Sequence, residues 1–356
     1  MEHKKYYVKR KESLESIANE LGISSENLRG YHNRFCELND LLSAKGENLQ
    51  KVGYILIPYS IEQLKINKEK EVRLKTFALE QKPTETLTYL ILQNIDMQVS
   101  GDSIVDSETE ILWKYKKEQN QNFFYAELFQ KEHQVKYIKS IYRALTEYMQ
   151  KFNKPLEHLN VKLRPSGEIK EILNQKDIED KWLLLKEELS PEMGDTLEEK
   201  QMLEGGDNDF KNSLPLLKNS LLHRLFFMDL YKSYTISDTF YSIAPLKYTS
   251  QIFNQEEIFL ITKQKIEKNN YSVKIKFFSE ADIEKNKHLK AIYNSKLRDF
   301  LKQEFNYQFT WSLEYTFDMQ QGIMLECHSK IKEQAANNYT HLTEHKISLT
   351  ENLENI

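Results

Sequence analysis

Cysteine is nearly absent: Cys36 and Cys327 are the only two in 356 residues, which excludes a disulfide framework. Glycine is scarce as well. Ten glycines leave little material for phosphate-cradling loops, and no G-x-x-x-x-G-K-[ST], G-x-G-x-x-G or G-x-S-x-G pattern occurs. No apolar run reaches the ~18 residues of a membrane span. The opening stretch, MEHKKYYVKRKESL, is charged where a signal peptide has its apolar core. Charge of one sign is missing too. Fifty Lys and Arg stand against 54 Asp and Glu, so the totals point to neither nucleic acid nor an anionic membrane as partner. The expectation is a soluble, cytoplasmic protein without a cofactor.

What is present is core material. A hydrophobic content of 40%, with 12% aromatic, excludes a disordered chain, and the length suits two or three domains. The stretch from Tyr6 to Pro58 is the most legible. Tyr6, Tyr7 and Val8 read as a short strand. Ser13 precedes Leu14, Ile17, Ala18 and Leu21 at helical spacing, and Gly22 stops them. Ser24 or Ser25 caps a second helix carrying Leu28 and Tyr31. Tyr54 to Ile57 reads as a strand ended by Pro58.

This βααβ order resembles the lysin motif (LysM), a small module that binds N-acetylglucosamine-containing glycans. The matching residues are Tyr6, Val8, Leu14, Ile17, Ala18, Ile23, Ser24, Leu28, Asn33, Leu49, Ile57 and Pro58. Lys11-Glu12 stands where typical members carry Gly-Asp, and Arg34 to Asn48 lengthens the link to the last strand. The resemblance implies a shallow groove bordered by Lys11, Glu12, Ser13 and Leu14 from the turn into the first helix, with Tyr31, His32 and Asn33 from the end of the second. The chain also resembles LysM-headed accessory proteins of bacteroidete-type bacteria that accompany type VI-like secretion and toxin genes. That implies a non-catalytic adaptor or chaperone for a secreted effector or an apparatus component. The alternative is a peptidoglycan- or chitooligosaccharide-binding protein of the cell envelope.

The remainder reads as α+β. Residues 61–85 form a linker, 86–190 and 216–350 two units in which a long helix lies on an antiparallel sheet, 191–215 a flexible linker, and 351–356 a tail. The long helices are expected over 134–152 and 281–305, from the spacing of Val135, Ile138, Ile141 and Leu145 and of Leu289, Ile292, Tyr293 and Leu297. Shared order, with Phe152-Asn153 matching Phe305-Asn306 and Gly167 matching Gly322, suggests an internal repeat.

Chemistry-bearing clusters are few. Cys327, His328, His341 and His345 offer zinc-type donors, but an H-x3-H pair sharing one face is read as helical geometry and this segment reads as strand, so no metal is expected. Cys36, with His32 near it, reads as a structural thiol, and pairs such as Glu256-Glu257 and Glu179-Asp180 as solvated faces. Trp113, Trp182 and Trp311 sit in apolar patterns and read as core. No catalytic set emerges.

Overall fold

A computed structural model describes residues 3–43, 45–59, 76–143, 146, 150–189, 197–253 and 256–350. The chain divides into two compact units, Met1–Phe77 and Ala78–Ile356.

In the first unit, strand β1 (His3–Tyr7) pairs antiparallel with β2 (Tyr54–Pro58), and helices α1 (Leu14–Glu20), α2 (Ser25–Phe35) and α3 (Leu49–Val52) lie between them in sequence. The local chemistry explains each boundary. Ser13 caps α1 in a reciprocal pair with Ser16, and Ser24 accepts from the Asn27 amide to cap α2. Leu14, Ile17, Leu28, Leu49 and Ile55 close one small core. Lys11 turns the chain into α1 with φ +74°, a conformation that strains any side chain. Lys11→Gly should therefore stabilise this unit by about 0.5–1 kcal/mol, the relief of a left-handed Cβ less the entropy of a freer unfolded chain. Slower amide exchange at Ile55 and Leu56 is the measurement; faster exchange contradicts it.

The second unit is one antiparallel sheet of eleven strands. Its strands are β3 (Thr84–Val99), β4 (Asp102–Asn120), β5 (Phe123–Ile138), β6 (His158–Leu163), β7 (Ile169–Ile172), β8 (Ser237–Ile243), β9 (Leu260–Lys268), β10 (Ser272–Ala281), β11 (Gln308–Asp318), β12 (Ile323–Ala336) and β13 (Tyr339–Thr350). Spatial order is β8-β9-β10-β11-β12-β13-β3-β4-β5-β6-β7. Two meanders of neighbouring strands are thus joined where the last strand pairs with the first, from Tyr339 opposite Val99 to Thr350 opposite Thr88.

This architecture overturns the expected α+β class with two helix-on-sheet units. The strands assigned to separate units belong to one sheet. The expected helix over 134–152 begins as strand, since β5 runs to Ile138; of its remainder, residues 144, 145 and 147–149 lie outside the described residues. The misleading spacing has a physical cause. A β-bulge lets Thr109 face Val135 while Glu108 faces Tyr137, so Val135 and Ile138 share a face although three residues apart. Over 281–305 the expected long helix is two short ones, Leu289–Lys296, where Leu289 and Tyr293 are buried, and Arg298–Leu301, where Leu301 is buried; Phe300 points out, 72% exposed.

Between the meanders run the helices α4 (Gln175–Leu189), α5 (Leu197–Lys211), α6 (Ser213–Asn219) and α7 (Leu221–Phe226). The expected flexible linker at 191–215 therefore holds α5 among its described residues. Its Gly205-Gly206 pair is helical rather than loop, and Gly206 meets Trp182 so closely that a Cβ would stand 2.3 Å from the indole. The expected 61–85 linker lies outside the described residues up to residue 75, and Thr84 already belongs to the sheet; the 351–356 tail lies outside them.

One face of the sheet is the core. Period-2 alternation brings Tyr89, Ile91, Ile111, Trp113, Leu313, Tyr315, Phe317, Ile331 and Ile347 inward, all under a tenth exposed. Phe226 of α7 is seated against Tyr89, Trp113 and Tyr115 with ring centroids 5.0–5.3 Å apart.

Candidate functional site

Further along the same face the apolar rows give way to polar ones. Ile347, Ile91 and Ile111 stand opposite one another, and the next row is His345, Gln93 and Thr109, again paired strand to strand. The chain roofs this region with residues 219–223, where α6 meets α7, with 153–157, and with Tyr248 and Gln251. Between floor and roof lies a cavity of about 390 Å³.

Four imidazoles border it: His133, His223, His341 and His345. Each arrives by a different local rule. His341 and His345 both point inward because four is an even number and a strand repeats every two residues. The expectation that an H-x3-H pair shares a face only on a helix is thereby corrected. At ~3.4 Å per residue the two lie roughly 13 Å apart along β13, too far to share one metal ion. Cys327 is buried on the inner face, while neighbouring His328 bonds Glu344 at 2.7 Å with half its side chain exposed. Among the described residues no group of three or more His, Cys, Asp or Glu is placed to hold a metal ion. His133 owes its place to a bulge. Leu112 faces Glu132 but Trp113 faces Gln130, and the extra residue turns His133 inward when it would otherwise point out. His223 stands in α7, its Nδ1 2.9 Å from Ser220 Oγ and its ring 5.3 Å from that of Trp113.

Burial controls the electrostatics. It pushes His223 and His345 down to about 4, and lowers His133 and His341, the last held back by Asp96. At neutral pH all four rings are uncharged. His345 is 2% exposed and its Nδ1 has no hydrogen-bond partner among the described residues.

One wall is held by a buried carboxylate. Glu333, on the inner face of β12 opposite His341, accepts from Tyr248 Oη at 3.3 Å, Tyr307 Oη at 3.2 Å, the Gln251 amide at 3.0 Å and the Ser250 hydroxyl. Burial raises its pKa. Because Tyr248 and Gln251 border the cavity, Glu333 fixes that wall through them. Glu333→Gln exchanges one acceptor oxygen for a donor amide and should cost about 2 kcal/mol. Denaturant titration is the check, and an unchanged midpoint contradicts the assignment.

A second buried group attracts notice. Lys117 is 1% exposed, its ammonium 3.5 Å from Tyr231 Oη and 4.8 Å from the centre of that ring, with no carboxylate against it among the described residues. Burial lowers its pKa to about 8. The space beside it is about 20 Å³, room for little more than a water.

The residues expected to border a LysM-type groove fall into two groups. Lys11 is exposed and Glu12 accepts from the Lys9 amide and Tyr6 Oη, while Ser13 caps α1 and Leu14 is core. Tyr31 bonds His3 Nδ1 at 3.0 Å. His32 is buried, its Nδ1 accepting from the Leu56 amide at 3.0 Å and its Nε2–H donating to the Asp40 carbonyl at 2.9 Å. Asn33 holds both backbone groups of Leu42. The polar atoms of His32 and Asn33 are thus spent on the chain itself. Burial raises the Cys36 thiol, which keeps it protonated and unreactive.

His133, His223 and Lys117 escaped the sequence reading: His223 interrupts an apolar run, Lys117 continues the inward row of Ile111, Trp113 and Tyr115, and His133 stands among polar neighbours. Trp113, Trp182 and Trp311 are all core, and Trp113 also floors the cavity.

No protein-family model matches this chain, and no curated protein does. Among solved structures, lipovitellin, determined for its lipid–protein interactions, is similar over 76% of this chain and 26% of its own, at 10% identity and a TM-score of 0.40. An outer membrane channel from Pseudomonas putida F1 is similar over 76% of this chain and 98% of its own, at 8% identity and a TM-score of 0.16. The chain spans about a quarter of the lipovitellin chain. At these scores neither likeness carries a functional argument. No helix among the described residues is long and apolar enough to cross a membrane.

Proposed function

We propose that this is a non-catalytic binding protein whose second unit encloses a small ligand in the imidazole-lined cavity. The observation that carries this reading is a cavity of about 390 Å³ walled by four histidines that burial keeps uncharged. That volume falls in the ~300–1,000 Å³ range of small-molecule sites. Ser220 and His223 have the reach of a nucleophile and its base. The His223 ring, however, has no third group orienting it among the described residues, and a basicity near 4 makes it a weak proton acceptor at neutral pH. Screening the full chain against a fragment library, read by the imidazole proton resonances, tests the proposal. At least one fragment should shift them saturably; a library that leaves every imidazole unmoved overturns it.

A second reading is the adaptor or chaperone role toward a secreted effector or apparatus component, which follows the LysM resemblance of the first unit. One observation in the second unit favours it. Phe240 and Phe278 border a concavity of the outer sheet face with Lys263 and Lys276, and Phe240, Phe259 and Ile261 are 42–47% exposed. A partner bound there should dissociate when Phe240→Ser and Ile261→Ser are combined. Binding unaffected by that pair sinks this use of the face.

A further inference from the structure

We propose that the cavity takes an uncharged ligand bearing hydroxyl and amide groups. This rests on the reading of the cavity as a binding site and adds the chemical class. No Lys or Arg stands among its described lining residues, and Glu157 is the single carboxylate. An arriving anion would meet no fixed positive charge unless it drew a proton onto an imidazole. At pH 7 His223 or His345, titrating near 4, is protonated in about one molecule in a thousand, so an anion taking its proton there would forfeit roughly a thousandfold in affinity. An arriving cation would surrender its hydration for one opposite charge.

An uncharged polar molecule meets neither penalty. A neutral imidazole offers one donor and one acceptor, as does a hydroxyl, and the Gln93 and Gln130 amides offer both kinds as well. Ile111, Trp113 and Leu128 supply the apolar floor for a carbon skeleton. The side chain of His345 is the built part of the site: almost wholly buried, on the cavity wall, and without a hydrogen bond at Nδ1 among the described residues. Unused polar capacity of this kind is rare in folded proteins. The bulge at 131–132 points the same way, since it spends a ladder bond to bring His133 inward.

The test uses the full chain at pH 7.5 and three size-matched probes: nicotinamide, nicotinate and 1-methylnicotinamide, being uncharged, anionic and cationic. Imidazole proton shifts give the affinities, with the His345 resonance assigned by its loss in His345→Gln. Nicotinamide should bind at least tenfold more tightly than either charged probe. If nicotinate or 1-methylnicotinamide binds as tightly or better at the same resonances, the ligand class is wrong and the cavity remains a binding site. If none of the three moves an imidazole at millimolar concentration, the class fails here; the wider library then decides the binding reading separately.

Discussion

Between pH 6.5 and pH 4 the unfolding free energy of the second unit should fall by about 3 kcal/mol for each of His223 and His345. The sign follows from proton counting. Both imidazoles have folded pKa values near 4 against 6.5 when unfolded. In that window the unfolded chain holds protons that the folded chain does not, so stability is complete above 6.5 and is lost as pH drops toward 4. A shift of about 2.5 units corresponds to roughly 3 kcal/mol. His133 and His341, lowered by the same burial, add to the decline. Glu333 works in the opposite sense. Its carboxyl titrates higher in the folded state, so its contribution to stability fades as pH rises through that folded value. Comparison of His345→Gln with the parent isolates one imidazole. All three tryptophans lie in the second unit, so their fluorescence during denaturant titration reports that unit alone. The variant should lose about 3 kcal/mol less than the parent between the two pH values. Parallel declines in both proteins would refute the assignment.

Lys117→Met should raise the stability of the second unit at pH 7 by roughly 3 kcal/mol. Among the described residues the buried ammonium has no carboxylate against it, and its only polar contact is a tyrosine hydroxyl at 3.5 Å that itself donates to the Gly322 carbonyl. Its pKa stands near 8 against 10.5 in the open chain. The folded state therefore binds fewer protons between those values, and stability declines as pH falls from 10.5 to 8 and stays low beneath. The shift of about 2.5 units is roughly 3 kcal/mol, and methionine keeps the aliphatic stem while removing the charge. In the parent, stability should climb between pH 8 and 10.5; in the variant that climb should be absent. A variant less stable than the parent at pH 7 would show that the charge is held by something stronger than Tyr231. Lone buried charges are uncommon because they are expensive. One retained at this cost marks Lys117 as a residue kept for more than packing.

How much of this was legible beforehand differs between the two units. In the first, serines at helix starts, Gly22 as a stop and an apolar spacing of three and four gave α1, the start of α2, and β2 nearly to the residue. Such signals are local, and the contacts they encode are local too. In the second, strand character was readable in Val273, Ile275 and Phe277 and in Leu313, Tyr315 and Phe317, because simple alternation survives there. In β5 it did not survive. Its bulges change parity twice, so Gln130, His133, Val135 and Ile138 share an inward face while imitating the stride of a helix. No local pattern announces that β13 pairs with β3, a partner some 250 residues away. The cavity was illegible for the same reason. Its histidines come from three distant stretches, and the pair that was noticed, His341 and His345, was judged by a helical rule although strands repeat in twos.

The seam between β13 and β3 has a consequence for how the chain reaches its native state. Twelve register pairs, from Val99 with Tyr339 to Thr88 with Thr350, must find each other across nearly the whole second unit. Closing so long a loop is entropically slow, and until it closes β3 and β13 each present a bare row of amides and carbonyls. The cavity floor straddles that seam, with Gln93 and Ile95 on one side and Thr343 and His345 on the other. Ligand captured there would therefore act as a rivet, favouring the zipped sheet over the open one and shortening the life of the adhesive half-sheets.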